Sequence, residues 1–224
     1  MKGRIGAVAN VEHRPFAIDE ARLVGMPAAR DYPAGTEILR QGSPAERVLY
    51  LESGLVKLLR AQADGGETIV GLRSSGWFLG AAAAILGRPY VARAVTLSRC
   101  RIADLDAARF GRLVREDASL SWRLHEMHSR EAYEQMVQMA DLGSRSARGR
   151  LEQFLHEMAS ALDGAGDDVR LSIPLRQWEI AQLIAVTPQY LCRLFADMER
   201  EGLLKREGEF VTIRGDGPRE DSGS

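Results

Sequence analysis

The stretch "LRQWEIAQLIAVTPQYLCRLFADMEREGLLKREGEFVTIRG", residues 175–215, admits few folds. Its centre reads as a helix. Thr187 can cap the start, and Pro188 fits the first helical position, where no amide donor is needed. Leu191, Leu194, Phe195 and Met198 recur at helical spacing and face a core. Gly202 can close the helix in a left-handed conformation. A shorter helix precedes it, joined by a tight turn near Ala185–Val186. Ala181 is small where the two helices would cross, and Ile180, Leu191 and Leu194 supply a shared core. Leu203–Arg206 and Phe210–Ile213 flank "EGE" and read as a hairpin. Two helices at a tight turn followed by a hairpin make a winged helix-turn-helix, whose second helix enters the major groove of DNA. The alternative is an ordinary helical hairpin inside a core. The order of cap, turn, small residue and wing favours DNA.

The outer face of the second helix carries Gln189, Tyr190, Cys192 and Arg193, with Thr187 and Pro188 at its entrance. Gln189 and Arg193 are four residues apart and share one face. Arginine suits guanine and glutamine suits adenine, each through two hydrogen bonds. Charge argues the other way. Between Leu171 and Arg214 the six basic residues are matched by six acidic ones, and the whole chain of 224 residues carries a net charge of -1. Phosphate attraction dominates affinity for DNA, so basic surface must be local. Arg145, Arg148 and Arg150 in "SRSARGR" lie just before the module, and Arg148 is a candidate phosphate contact. Helix N-termini add backbone amides.

Upstream the texture changes twice. Residues 1–30 are a mixed extension with a short helix expected around "AIDEARLV". From 31 to 113, short apolar runs punctuated by glycines suggest a barrel or rolled sandwich. From 114 to 143 the chain reads as one long helix with two apolar stripes. Leu120, Leu124 and Met127, continued by Met136 and Met139, are read as a seam between two copies of the chain. A helix lying on its own β domain is the alternative. Residues 144–214 hold the DNA-binding module, and 215–224 read as a disordered tail. Two distant cysteines, Cys100 and Cys192, make no disulfide framework or metal cluster and fit a reducing cytoplasm. No signal peptide and no membrane span is expected. No nucleophile–base pair or carboxylate constellation suggests an enzyme.

This order of parts over residues 31–214 resembles the CRP/FNR family of bacterial transcription regulators. "YPAGTEILRQGSPAERVLYLESGLVKLLR" looks like that family's cyclic-nucleotide-binding β-roll. "GWFLG" sits where the roll meets its ligand segment, and the long helix resembles its dimer helix. The resemblance implies an α+β chain: a cyclic-nucleotide-binding-like β-roll, a long dimerisation helix and a C-terminal winged helix-turn-helix. It implies a cytoplasmic homodimer that acts with RNA polymerase at a palindromic double-stranded DNA site. It also implies an effector pocket at Gly80, Ala81, Ala82, Val91 and Ala92, closed by Gln135 and Met136.

The departures bear on the signal. Members that bind cyclic AMP carry Gly-Glu in the ligand segment, then Arg followed by Ser or Thr about ten residues on. Here Ala81 follows Gly80, and the arginine position falls near Pro89–Val91. An anionic ligand would lack its orienting groups, so cyclic AMP is not expected. The N-terminal cysteine cluster of iron–sulfur sensing is absent. No cofactor is expected; haem stays open, since His125 and His128 lie three apart on the long helix. The blander reading is a pair of partly solvated histidines. The second reading of the chain is a small-molecule or haem sensor that acts mainly through protein contacts, with a weakened DNA module.

Overall fold

A computed structural model describes residues 27–62, 65–141, 146–161, 168–172, 174–207 and 210–214. The expected N-terminal helix, the C-terminal tail and Arg145 lie outside them. Eleven strands and six helices are described, and the β segment forms two antiparallel four-stranded sheets. One sheet orders β1 (Arg30–Tyr32), β8 (Cys100–Asp106), β3 (Arg47–Ser53) and β6 (Phe78–Leu79). The other orders β2 (Glu37–Leu39), β7 (Arg93–Thr96), β4 (Val56–Ala61) and β5 (Glu67–Arg73). Val48, Leu49, Leu51, Val56, Ile102 and Leu105 fill the space between the sheets. Burial of these branched side chains drives the roll, at about 25 cal/mol per Å² of apolar area removed from water. The β3–β4 turn needs glycine. Gly54 has φ 101°, and a Cβ there would lie 2.6 Å from Cys100 Sγ.

Two helices follow the roll. Helix α2 (Ala107–Glu116) starts at Asp106, whose side chain accepts from Arg109 N–H, and ends at Asp117. Helix α3 (Ala118–Asp141) then runs for 24 residues as one element, beginning four residues later than the sequence boundary. Asp117 Oδ1 accepts from the Ser119 and Leu120 amides and starts it afresh.

Helix α3 corrects the expected seam. Leu124 and Met127 are each 4% exposed and belong to the roll's own core, with Leu120 packed against it. Leu124 and Met127 are therefore not free to meet a second chain, and Leu120 is half-buried against the roll. The helix has two faces, because residues two apart lie about 200° around the axis. Leu120, Leu124, Met127 and Glu131 face the roll. Trp122, Tyr133 and Met136 face away, at 67%, 69% and 71% exposure. Of the five residues expected in the seam, Met136 keeps an exposed face; the Met139 side chain lies outside the described residues.

The C-terminal module comprises α4 (Ala147–Ala161), β9 (Asp168–Ser172), α5 (Gln177–Leu183), α6 (Pro188–Arg200), β10 (Leu204–Glu207) and β11 (Phe210–Arg214). The wing is a three-stranded sheet in the order β10-β11-β9. The hairpin was legible in sequence. Strand β9 was not, since the polar run before it reads as loop. Among the described residues, no helix is long and apolar enough to cross a membrane.

Candidate nucleic-acid interface

The turn between α5 and α6 sets the angle of the outer helix. Helix α5 closes with Ala185 N–H donating to Gln182 C=O and Val186 N–H to Ala181 C=O. This closure needs a left-handed residue, and Ala185 takes that role at φ 52° where glycine is usual. Arg150 of α4 braces the turn: its Nε donates to Ile184 C=O at 2.7 Å. Neither Ala185's strain nor Arg150's role was legible in sequence. The signal was present as a tight turn without glycine.

Helix α6 follows as its sequence predicts. Thr187 Oγ1 accepts from Tyr190 N–H at 3.2 Å, and Pro188 opens the helix. Leu191, Leu194, Phe195 and Met198 are buried. Gly202 at φ 72° ends it, with its amide donating to Glu199 C=O and the Leu203 amide to Met198 C=O. That leaves Gln189, Tyr190, Cys192 and Arg193 exposed, with Thr187 and Pro188 at the tip. Cys192 Sγ lies 3.4 Å from Gln177 Oε1 on the first helix.

Electrostatics divide the arginines. Arg193 has no hydrogen bond or ion pair among the described residues, so its guanidinium is available to a ligand. Arg206 is committed: it donates to Glu199 from backbone and side chain at 3.0 and 2.7 Å and lies over the Phe195 ring. That tie fixes the wing to α6 and holds the Glu199 carboxyl below its ordinary range, chiefly through the side-chain hydrogen bond. Arg148 is committed as well. It forks onto Glu201 at 2.7 and 2.5 Å and reaches Glu152 at 2.9 Å. These bonds raise its pKa above the ordinary arginine value, the Glu201 hydrogen bond most. In the unbound chain its guanidinium is occupied by two exposed carboxylates, so a phosphate contact by Arg148 has to displace them.

The ligand segment follows the same roll. Gly80, at φ 82°, precedes the short helix α1 (Ala81–Leu86), and a Cβ there would meet Tyr90 Cε1 at 2.8 Å. Ala81 and Ala92 are buried, Ala82 and Val91 exposed, and Gln135 and Met136 lie exposed on α3. Arg73, at the end of β5, went unnoticed in the sequence. It is 7% exposed, stacks 4.4 Å over Trp77, donates to Leu72 C=O and pairs with Glu131 of α3. Gln135 Nε2 lies 3.5 Å from the same Glu131 carboxylate. This cation is therefore spent on a protein carboxylate. A separate hollow of about 280 Å³ is lined by Leu39, Arg40, Ser43, Arg47 and Tyr90. Its cations are also paired, Arg40 with Glu37 and Arg47 with Asp104.

Comparison with known proteins gives these parts a common ancestry. Residues 29–117 match the model of the cyclic nucleotide-binding domain, and residues 149–215 match the Crp-like helix-turn-helix domain. The chain belongs to the CRP/FNR family. It is a transcription regulator with a DNA-binding helix-turn-helix, as the resemblance implied. A CRP-like cAMP-activated global transcriptional regulator of Mycobacterium tuberculosis is 26% identical over 211 residues, 94% of this chain and 92% of that one. Among solved structures, FixK2 from Bradyrhizobium japonicum superposes with a TM-score of 0.70 at 20% identity, covering 84% of this chain and 94% of that one. The c-di-GMP responsive regulator CLP of Xanthomonas campestris gives 0.67 at 22%, covering 87% and 97%. The α+β architecture of roll, long helix and winged module is thus the CRP/FNR architecture. Within this CRP/FNR regulator, sequence reasoning missed Arg73 and Glu131, and it noted Arg150 and Trp77 in their motifs without the contacts they make.

Proposed function

We propose that the chain is a homodimer that reads a palindromic double-stranded DNA site with helix α6 and acts there on RNA polymerase. The observation that carries this reading is Arg193, unpaired among the described residues. It stands exposed one turn from Gln189 on a helix whose opposite face is buried. Arg193 reads a guanine in each half-site through its two-pronged guanidinium, and Gln189 reads an adjoining base. Two-fold symmetry makes the site palindromic, and its half-sites lie about one helical turn apart. The dimer seam is the outer face of α3, where Trp122, Tyr133 and Met136 are exposed in the single chain.

Cyclic AMP is not the effector in this reading. Ala81 supplies no carboxylate for a ribose, and the Arg73 cation is neutralised by Glu131. The M. tuberculosis relative is named as cAMP-activated; this chain has Ala81 after Gly80 and so lacks a carboxylate there. No cofactor is required either. His128 is half-buried and its pKa is lowered, chiefly by burial; an optical spectrum of the purified protein without a Soret band is the expected result. The near-neutral module, with Arg148 and Arg206 committed to carboxylates, favours the second reading: a sensor that works through protein contacts.

Selection on random duplex DNA tests the proposal. Wild type should enrich a palindrome. Arg193→Ala should lose preference at one base pair per half-site, at a cost of about 1–3 kcal/mol. An Arg193→Ala protein that enriches the same motif with the same stringency removes α6 as the reader.

A further inference from the structure

The DNA-reading module is held against the roll by polar contacts that the fold alone does not require. Helix α5 lies on β5, the edge strand of its sheet. An edge strand leaves alternate N–H and C=O groups without a strand partner. Gln182 satisfies two of them. Its Oε1 accepts from Ile69 N–H at 3.3 Å and its Nε2 donates to Glu67 C=O at 3.2 Å. A single side-chain amide thus makes the pair of bonds that a neighbouring strand would make.

One turn earlier, Glu179 pairs with Lys57 of β4; their side chains are 3% and 18% exposed. A pair this dry is costly to leave half-made. The second oxygen of Glu179 accepts from Arg176 N–H at 2.8 Å and so also fixes the start of α5. Beneath these contacts, Leu59, Ile69 and Leu72 of the roll share one apolar core with Ile180, Leu183 and Leu191 of the helix pair. None of Lys57, Glu179 or Gln182 belongs to the outer face of α6.

We infer that Gln182, together with the Glu179–Lys57 pair, is a positioning element: it fixes the angle of the reading helix on the roll and so sets the half-site separation that the regulator accepts. This rests on the reading of α6 as the DNA reader in a homodimer. Both heads must engage at once for full affinity. A head free to swing engages each half-site as before, but the doubly engaged arrangement is then only one of several. Loss of the contacts therefore loosens spacing without changing which bases are read.

The test is selection and titration on the wild-type half-site with spacers varied by single base pairs. It uses the full chain carrying Gln182→Leu, which keeps bulk and removes both bonds. A second variant, Lys57→Met with Glu179→Gln, removes the charges while keeping an acceptor for the Arg176 amide. Wild type should prefer one spacer. Each variant should keep the half-site motif, bind the best site roughly tenfold more weakly, and accept neighbouring spacers nearly as well. The Ile69 amide should be protected from hydrogen exchange in wild type and faster in Gln182→Leu, with the Val48 and Leu51 amides unchanged as a control for folding. Spacer preference retained in both variants overturns the inference, as does an Ile69 amide that exchanges equally fast in wild type and Gln182→Leu. Arg193→Ala, run alongside, separates the failures. If it leaves the motif unchanged, the reader assignment falls and takes the inference with it. If it alters the motif while spacing stays fixed in the Gln182 and Lys57/Glu179 variants, the positioning role alone falls.

Discussion

Trp122→Ala and Leu124→Ala lie two residues apart on one helix and should fail in opposite ways. Trp122 is 67% exposed in the single chain, with a tilted ring approach to His125 at 5.9 Å. Leu124 is 4% exposed within the roll's core. Full burial of a large apolar side chain is worth about 1.5–3 kcal/mol. A two-fold interface uses each residue twice. Two-thirds of that burial, counted in both copies, gives about 2–4 kcal/mol per dimer, or roughly 30- to 1,000-fold in the dissociation constant. Trp122→Ala should therefore weaken association by that factor while the melting temperature of the roll hardly moves at matched oligomeric state. Leu124→Ala opens a cavity instead and should cost about 2–5 kcal/mol of fold stability. Sedimentation velocity over a dilution series measures the first quantity, and thermal or urea unfolding the second. The two-faced account of α3 is refuted if Trp122→Ala leaves the dissociation constant unchanged while Leu124→Ala gives a stably folded monomer.

Three further outcomes follow from the geometry. Burial lowers the His128 pKa beneath its ordinary 6.5, with Arg73 and His125 adding to the effect and Glu131 opposing it. The unfolded chain then takes up the proton first, so stability should be level above pH 6.5 and fall as pH drops through the lowered folded value. His128→Gln should flatten a plot of melting temperature against pH over that window; an unchanged slope excludes His128 as its source. Ala185→Gly relieves a left-handed alanine and should stabilise the winged module by up to about 1 kcal/mol, after the greater freedom of glycine in the unfolded chain is deducted. Urea unfolding checks this, and a destabilised variant would mean that the Ala185 methyl packs favourably. Arg148→Ala removes exposed ion pairs and should cost less than about 1 kcal/mol in stability. It should also change the salt slope of DNA binding by well under one; a drop near one would restore Arg148 as a phosphate contact.

The winged module was legible because its signals are local. Thr187, Pro188 and Gly202 act on the backbone beside them, and the spacing of Leu191, Leu194, Phe195 and Met198 states which face is buried. The roll was legible as a texture of short apolar runs and turn glycines, without its strand order. Strand β9 was missed because its partner β11 lies some forty residues on, and pairing at that distance leaves no trace in a window of neighbouring residues. The pairing of Arg148 was hidden for a related reason: a basic residue beside a DNA module looks available until Glu201, 53 residues away, is seen to occupy it.

By itself the sequence determined the order of the main elements, the bounds of α6 and which face of α6 is left for a partner, since caps, breakers and periodicity act within a few residues. The family followed from the order of those elements. Only the tertiary structure decided which face of the long helix is covered: the roll takes Leu120, Leu124 and Met127, and Trp122, Tyr133 and Met136 are left to solvent. It also decided where the charges go, with Arg73 on Glu131, Arg148 on Glu201 and Lys57 on Glu179. Periodicity specifies that a face is apolar but not which surface covers it, and a charge in sequence has no partner until the chain has folded back on itself.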